Sequence, residues 1–345
     1  MLTRAGRSTG RTASGWVAVA VAFAGLALMA ANAEQGAPAP RIVSANPAVD
    51  NWALDVIDGT VDGRFAPRAD GAGVDIYVLD SGARLSHVDF GRRGVPIGTF
   101  TAAAARPVSA DVTDCEEGFD GHGTHDASYA AGARYGVASA ARVHIAKISG
   151  GAACDGSPDA ARRAVDYIVA HHRRGVVNLS FAWPDRSERR ALVASILAAM
   201  DAGFVFTLSA ACTADVGRTW LQAATEQPRR AIIAAATDER RRSVQEPYAP
   251  IEYGPLLTLF APGNHVLGAS GWSDAGASVQ PPLDRARCSD SFAAPHVAGV
   301  AATYLQRHPR ANPQQVHDAI VRAAVPDVVK GSLGRAPNRF LRDVP

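Results

Sequence analysis

Apolar residues in this chain gather in short, unbroken runs rich in β-branched side chains. These are VDIYVLD (Val74 to Asp80), ARVHIAKI (Ala141 to Ile148), VVNLSF (Val176 to Phe181), FVFTLSA (Phe204 to Ala210) and AIIAAAT (Ala231 to Thr237). No polar alternation interrupts them, which predicts strands buried on both faces. Helical patterns lie between several of the runs. In SPDAARRAVDYIVAHHRRG, Ser157 or Asp159 serves as the cap, Ala161, Val165 and Ile168 share one side, and Gly175 is the stop. At its end, His171, His172, Arg173 and Arg174 read as cations opposing the negative end of the helix dipole rather than as a ligand site. Strands and helices in alternation predict an α/β fold, a mostly parallel central sheet with helices on both faces in a three-layer αβα arrangement. Sites in such sheets lie beyond the carboxyl ends of the strands. Asp80 ends the first run.

The first residues follow another pattern. Arg4, Arg7 and Arg11 precede the apolar run WVAVAVAFAGLALMAA, and small residues close it at Ala31-Asn32-Ala33. These are the three parts of a secretory signal, so residues 1–33 are expected to be removed and the mature protein to be secreted or periplasmic, with no membrane contact after cleavage. The apolar run is shorter than the ~20 residues of a spanning helix. Residues 34–51, rich in Pro and Ala, read as a linker or N-terminal arm, and residues 52–345 as one domain.

Composition narrows the function classes. The chain has 345 residues, 47% of them hydrophobic, enough for one large core. A formal charge of +2 gives no general reason to expect a nucleic-acid partner. Export makes the four cysteines candidates for disulfides, and four cysteines allow three pairings that spacing alone does not distinguish.

Three segments place a reactive side chain among permissive neighbours: VLDSG around Asp80, DGHGTH around His122 and SDSFAAPHVAG around Ser291. Singly they are weak, since an Asp at a strand end is commonly a turn residue and a Ser before a helix is commonly an N-cap. Together they supply a hydroxyl nucleophile, an imidazole base and a carboxylate that orients it. The chain order Asp, His, Ser is one of the three known for such triads. A metal site from His122, His125 and Asp126 is poorly supported, because a catalytic zinc also needs a suitably placed third ligand. His125 reads better as a packed helix residue.

With these residues in view, the sequence resembles the subtilisin-like serine peptidases, and within them the proteinase K and aqualysin-like branch. The similarity runs from about Trp52 to Leu341. WALDVID resembles the opening segment, GAGVDIYVLDSGARLSHVDFGRR the aspartate segment, Gly121 to His125 (GHGTH) the histidine segment with YGVA after it, and APNRFL the close; FAPG, Phe260 to Gly263, resembles the turn before the serine region. The resemblance implies a subtilisin-like fold, Ser291 as nucleophile, His122 as general base and acid, Asp80 as its partner, and no cofactor for catalysis. It also implies an extended polypeptide substrate, bound by main-chain pairing between Ser180-Phe181-Ala182 and Asp155-Gly156-Ser157, a Cys115–Cys154 disulfide, and a monomer. Relatives often hold structural calcium, for which no residues are assigned here.

The chain also departs from that family. Cys212 stands where relatives carry the Asn that donates to the oxyanion, and a thiol is a weak donor. Asp290 places a carboxylate next to Ser291, Asp126 and Ser128 replace a usual Val and Gly, and Ala182 and Trp183 replace glycines of the cleft. About 17 residues separate Ala33 from Trp52, fewer than the ~50 of a compact prodomain. Cys212 and Cys288 are left either to pair or to stay free. Two readings follow: a secreted serine endopeptidase with a weakened oxyanion hole, or a catalytically impaired homologue that holds extended peptide without cutting it.

Overall fold

The computed structural model describes residues 42–43, 51–101, 104, 106–115, 121–150, 154–181, 183, 186–210, 229–243, 253–280 and 289–345. The expected signal, nearly all of the arm, and Ala182, Cys212 and Cys288 lie outside the described residues. Among the described residues, no helix is long and apolar enough to cross a membrane.

In chain order the strands are β1 (Ile42–Val43), β2 (Asp75–Asp80), β3 (Gly94–Thr99), β4 (Arg142–Lys147), β5 (Ser149–Gly150), β6 (Asp155–Gly156) and β7 (Val176–Leu179). They continue with β8 (Val205–Ser209), β9 (Ile232–Thr237), β10 (Leu259–Pro262), β11 (Val266–Ala269), β12 (Ala277–Gln280), β13 (Val325–Pro326) and β14 (Arg339–Phe340). Six helices are described: α1 (Trp52–Ile57), α2 (His122–Ala131), α3 (Pro158–His171), α4 (Arg186–Asp201), α5 (Asp290–Arg307) and α6 (Pro313–Ala323). Nine strands form the central sheet in the order β13-β14-β10-β9-β8-β7-β2-β4-β3. Every neighbouring pair is parallel except β13 with β14 at one edge.

All five runs expected to be strands are strands, each within two residues of its expected bounds. Every residue of β2, β7, β8 and β9 is buried, as helices on both faces of a parallel sheet require. The aliphatic side chains of these strands form one continuous core with α2, α3, α4 and α5. Helix α2 packs on α5, and α3 packs on α4.

Two expectations are corrected. Helix α3 starts as expected, with the Ser157 side chain accepting from the Ala160 N–H and Pro158 in its first turn, but it stops at His171. Only His171 serves the helix end. His172 is extended, Arg173 leaves to pair with Asp75, and Gly175 runs so close to β2 that a Cβ there would meet the Asp75 carbonyl oxygen at 2.2 Å. The FAPG segment is not mainly a turn. Phe260, Ala261 and Pro262 belong to β10, paired with β9, and the chain leaves the sheet at Gly263.

Candidate active site

The carboxyl ends of β2 and β7 and the first turns of α2 and α5 meet at one place. Asp80 is the last residue of β2 and fully buried. Helix α2 begins two glycine-dependent steps away. Gly121, its N-cap, has φ 74°, a left-handed conformation that favours glycine. Gly123 presses the helix onto the strand end, and a Cβ there would lie 2.0 Å from the Gly82 carbonyl oxygen and 3.0 Å from the Asp80 Cβ. That approach delivers His122 to Asp80, with Nδ1 2.8 Å from Oδ1. Phe292 and Phe181 flank the imidazole at ring separations of 5.0 and 5.6 Å.

Ser291 stands in the first turn of α5, next to Phe292. Its carbonyl would ordinarily accept from the N–H four residues on, but residue 295 is proline and has no N–H. The Ser180 hydroxyl takes that carbonyl at 2.8 Å, and the Ser291 hydroxyl donates to the Ser180 carbonyl at 3.0 Å. This reciprocal pair fixes α5 against the end of β7. The recorded bond of the Ser291 hydroxyl is therefore to the main chain of the cleft wall, while Asp80 and His122 are bonded to each other.

Asp80 receives its donors unevenly. Oδ1 accepts from the Ser81 N–H at 2.7 Å, the Ser81 hydroxyl at 3.1 Å and His122, whereas buried Oδ2 has no donor. Behind it, buried Asp114 accepts from the hydroxyl of Ser81 at 2.6 Å and from the Thr124 N–H at 2.7 Å. Burial alone would lower the His122 pKa, but the charges of Asp80, Asp126 and Asp114 overcome it and raise it to about 9. Asp126 sits one helical turn after His122, fully buried, and accepts from the Asn178 Nδ2 at 3.3 Å. Burial raises its carboxyl well above the ordinary carboxylate range. In the sequence Asp126 is an added polar group in a packed helix, and its i, i+4 spacing from His122 is the signal that both share one face.

Other expected residues fall into place unevenly. Cys115 and Cys154 form the disulfide, with Cα atoms 6.0 Å apart. Asp155 and Gly156 make up β6, paired with β5, and the Ser157 hydroxyl is engaged as the cap of α3. Trp183 bridges the expected cleft: its indole N–H donates to the Gly156 carbonyl at 2.9 Å, and its ring stacks on Phe181. Asp290, next to Ser291 in sequence, is bonded elsewhere. Its carboxylate turns inward, fully buried, to accept from the Ala236 N–H at 2.7 Å and from the Tyr253 hydroxyl at 3.4 Å. Ser128 is likewise satisfied, between Asp89 Oδ2 and the Ala269 N–H.

Among the described residues, the one trio of donors close enough to hold a metal ion is Asp80, His122 and Asp126, within 4.8 Å of one another. The Nδ1 of His122 is already bonded to Asp80 there. His125 is no ligand: its ring nitrogens contact the Gly121 carbonyl at 3.0 Å and the Ser278 hydroxyl at 2.8 Å, and burial lowers its pKa to about 4.

Comparison with known proteins agrees with this fold. The sequence model of the subtilase family matches residues 71–340. An extracellular serine proteinase of Thermus sp. (strain Rt41A) is 32% identical over 84% of this chain and 65% of its own length. Alkaline serine exoprotease A of Vibrio alginolyticus is 32% identical over 82% of this chain and 49% of its own. The chain thus spans about half to two thirds of the length of these relatives. The crystal structure of a cold-adapted subtilisin-like serine proteinase superposes with a TM-score of 0.70 at 26% identity, covering 86% of this chain and 99% of the other.

Proposed function

The chain belongs to the subtilase family, and from that premise we propose that it is an exported serine endopeptidase acting on extended polypeptide through Ser291, His122 and Asp80. The observation that carries this reading is the buried Asp80–His122 hydrogen bond at the mouth of the helix that bears Ser291. Rotation of the Ser291 side chain away from the Ser180 carbonyl brings its proton to His122. The oxygen then attacks the substrate carbonyl, His122 carries the proton to the leaving amine, and an acyl-enzyme remains for water to hydrolyse by the same relay in reverse. Asp80 holds the ring with Nδ1 protonated and faces the imidazolium as it forms. The Ser291 N–H, in the first turn of α5, donates to the oxyanion at the positive end of the helix. Since His122 acts as a base only when neutral, and its neighbours raise its pKa to about 9, kcat/KM rises with pH across the neutral range toward that value.

A second reading, a family member that holds extended peptide without cleaving it, is favoured by one contact. The Trp183 indole occupies the Gly156 carbonyl, an acceptor that strand pairing with a substrate needs.

A fluorophosphonate probe separates the two. Labelling of folded, signal-free protein, abolished in Ser291→Ala and rising with pH, is the expected result. Folded protein that binds extended peptides but takes up no probe at any pH establishes the second reading.

A further inference from the structure

We propose that Asp126 is a positioning residue of this site that keeps its own proton and donates it to the unserved oxygen of Asp80, so that the partner of His122 is one half of a carboxylic acid–carboxylate pair. The proposal rests on the triad reading above for its catalytic meaning, though not for the proton itself.

Donor counting leads to it. Three donors converge on Asp80 Oδ1 and none on Oδ2. On Asp126, Oδ2 accepts from Asn178, while Oδ1 is buried without a partner. One carboxylate oxygen of each side chain lies within 4.8 Å of one on the other. With both groups ionised, two neighbouring buried carboxylates would each keep an oxygen that no hydrogen reaches. One proton on Asp126 turns that repulsion into a charge-assisted O–H···O⁻ bond and satisfies both atoms.

The surroundings leave the proton on Asp126. From β2 it faces Asp80, with Asp114 behind; from the end of β7 it meets two neutral groups, Asn178, whose amide oxygen accepts from the Thr207 hydroxyl at 3.1 Å, and the Ser180 hydroxyl, whose hydrogen is given to the Ser291 carbonyl. On its own helix the titratable neighbours are His122 and buried Tyr129, and from α5 the His296 ring stacks on Tyr129, with burial lowering its pKa to about 4. Among these described groups no lysine or arginine offsets the acids, and His122 is already bonded to Asp80. Protonated, Asp126 acts on the general base through Asp80 and not by a charge of its own. A protonated Asp126 adds no negative charge beside His122, and Asp80, sharing charge density with that proton, pulls less strongly on the imidazolium; both bring the neutral, working form of His122 below the pKa of about 9 that ionised Asp80, Asp126 and Asp114 together would give it.

Two substitutions and one spectrum test the idea. Asp126→Asn preserves the pattern, accepting from Asn178 and donating an N–H to Asp80. Asp126→Val keeps the bulk and removes the donor. The pH profile of kcat/KM is expected to shift upward in the Val variant, with a loss of about tenfold at neutral pH that falls mainly on kcat, and Asn is expected to restore most of it. If Asp126 were instead ionised, both variants would delete a negative charge and move the His122 limb downward together, which overturns the proposal. So does an unshifted limb in Asp126→Val. Independently of turnover, the infrared difference spectrum between Ser291→Ala and Ser291→Ala/Asp126→Asn at neutral pH is expected to contain the C=O stretch of a buried carboxylic acid. A carboxylate band in its place overturns the proposal. The acid band in a protein that takes up no fluorophosphonate leaves the shared proton standing and removes the peptidase reading.

Discussion

Strand β2 carries an aspartate at each end, and the two are held in opposite ways. Asp75, at the amino end, is 2% exposed and accepts from the Arg142 Nε at 2.8 Å, the His144 Nε2 at 3.0 Å and the Arg173 guanidinium. Burial works to raise its pKa, but the hydrogen bonds from His144, Arg173 and Arg142 outweigh it and hold the carboxyl far below the usual range. Asp80, five residues on, meets one imidazole, one serine and two further buried acids, Asp114 and Asp126. Cations surround the first carboxylate. The second is crowded by other acids. Cation pairing of the kind that holds Asp75 is what stability alone asks for, whereas crowded buried acids are the pattern of a proton-moving site, the role proposed above for Asp80.

The sharpest way to break the comparison is to neutralise each end in turn. Asp80→Asn is expected to lower kcat by about 10⁴-fold, because an amide at that position favours the wrong tautomer of His122. The folded state, read by thermal unfolding, is expected to change little, since the rest of the cluster remains. A loss of activity below tenfold would mean that His122 is oriented by another group.

Asp75→Asn is expected to do the reverse, leaving turnover intact and lowering stability by about 1–3 kcal/mol through lost charge-assisted hydrogen bonds. The figure is modest because Arg142 and Arg173 are 50% and 57% exposed and turn to water when released. The sign with pH follows from the depressed pKa. The contribution is present above the unfolded value of about 3.9 and disappears as pH falls toward the folded one. Unfolding midpoints of the native protein are therefore expected to drop through this acid window, and those of Asp75→Asn to drop less. Parallel curves would show that the ion pairs contribute nothing net.

The two ends also differed in what the sequence disclosed. The strands, the three segments bearing Asp80, His122 and Ser291, and their gathering beyond the sheet were legible, because buried runs and glycine-flanked polar residues are local patterns. Asp75 was not singled out, since its partners lie 67, 69 and 98 residues away and only the sheet register aligns them. The expected end of α3 was wrong for the same reason: Arg173 looks like a helix-terminal cation until Asp75 is seen to require it. Asp290 looked hostile to the nucleophile because sequence adjacency does not report direction, and the structure turns it onto the Ala236 N–H. Ser81 showed only as part of the segment VLDSG, and nothing in the sequence placed Asp114 beside it.

That serine allows the finest test of the acid-rich end. Its single hydroxyl hydrogen faces two acceptors, Asp114 Oδ1 at 2.6 Å and Asp80 Oδ1 at 3.1 Å, while its oxygen accepts from the Gly123 N–H at 3.0 Å. It therefore ties the start of α2 to the end of β2 and stands between two like-charged groups. Ser81→Ala removes one donor shared by two acids and one acceptor for α2. The expected cost is about 1 kcal/mol in transition-state stabilisation, or roughly a fivefold fall in kcat with KM nearly unchanged. Ser81→Thr restores the hydroxyl and is expected to return the rate. If alanine instead raises KM and spares kcat, the hydroxyl shapes the cleft and not the carboxylate, and the contrast between the two ends of β2 then rests on Asp80 and Asp126 without help from the residue between the acids.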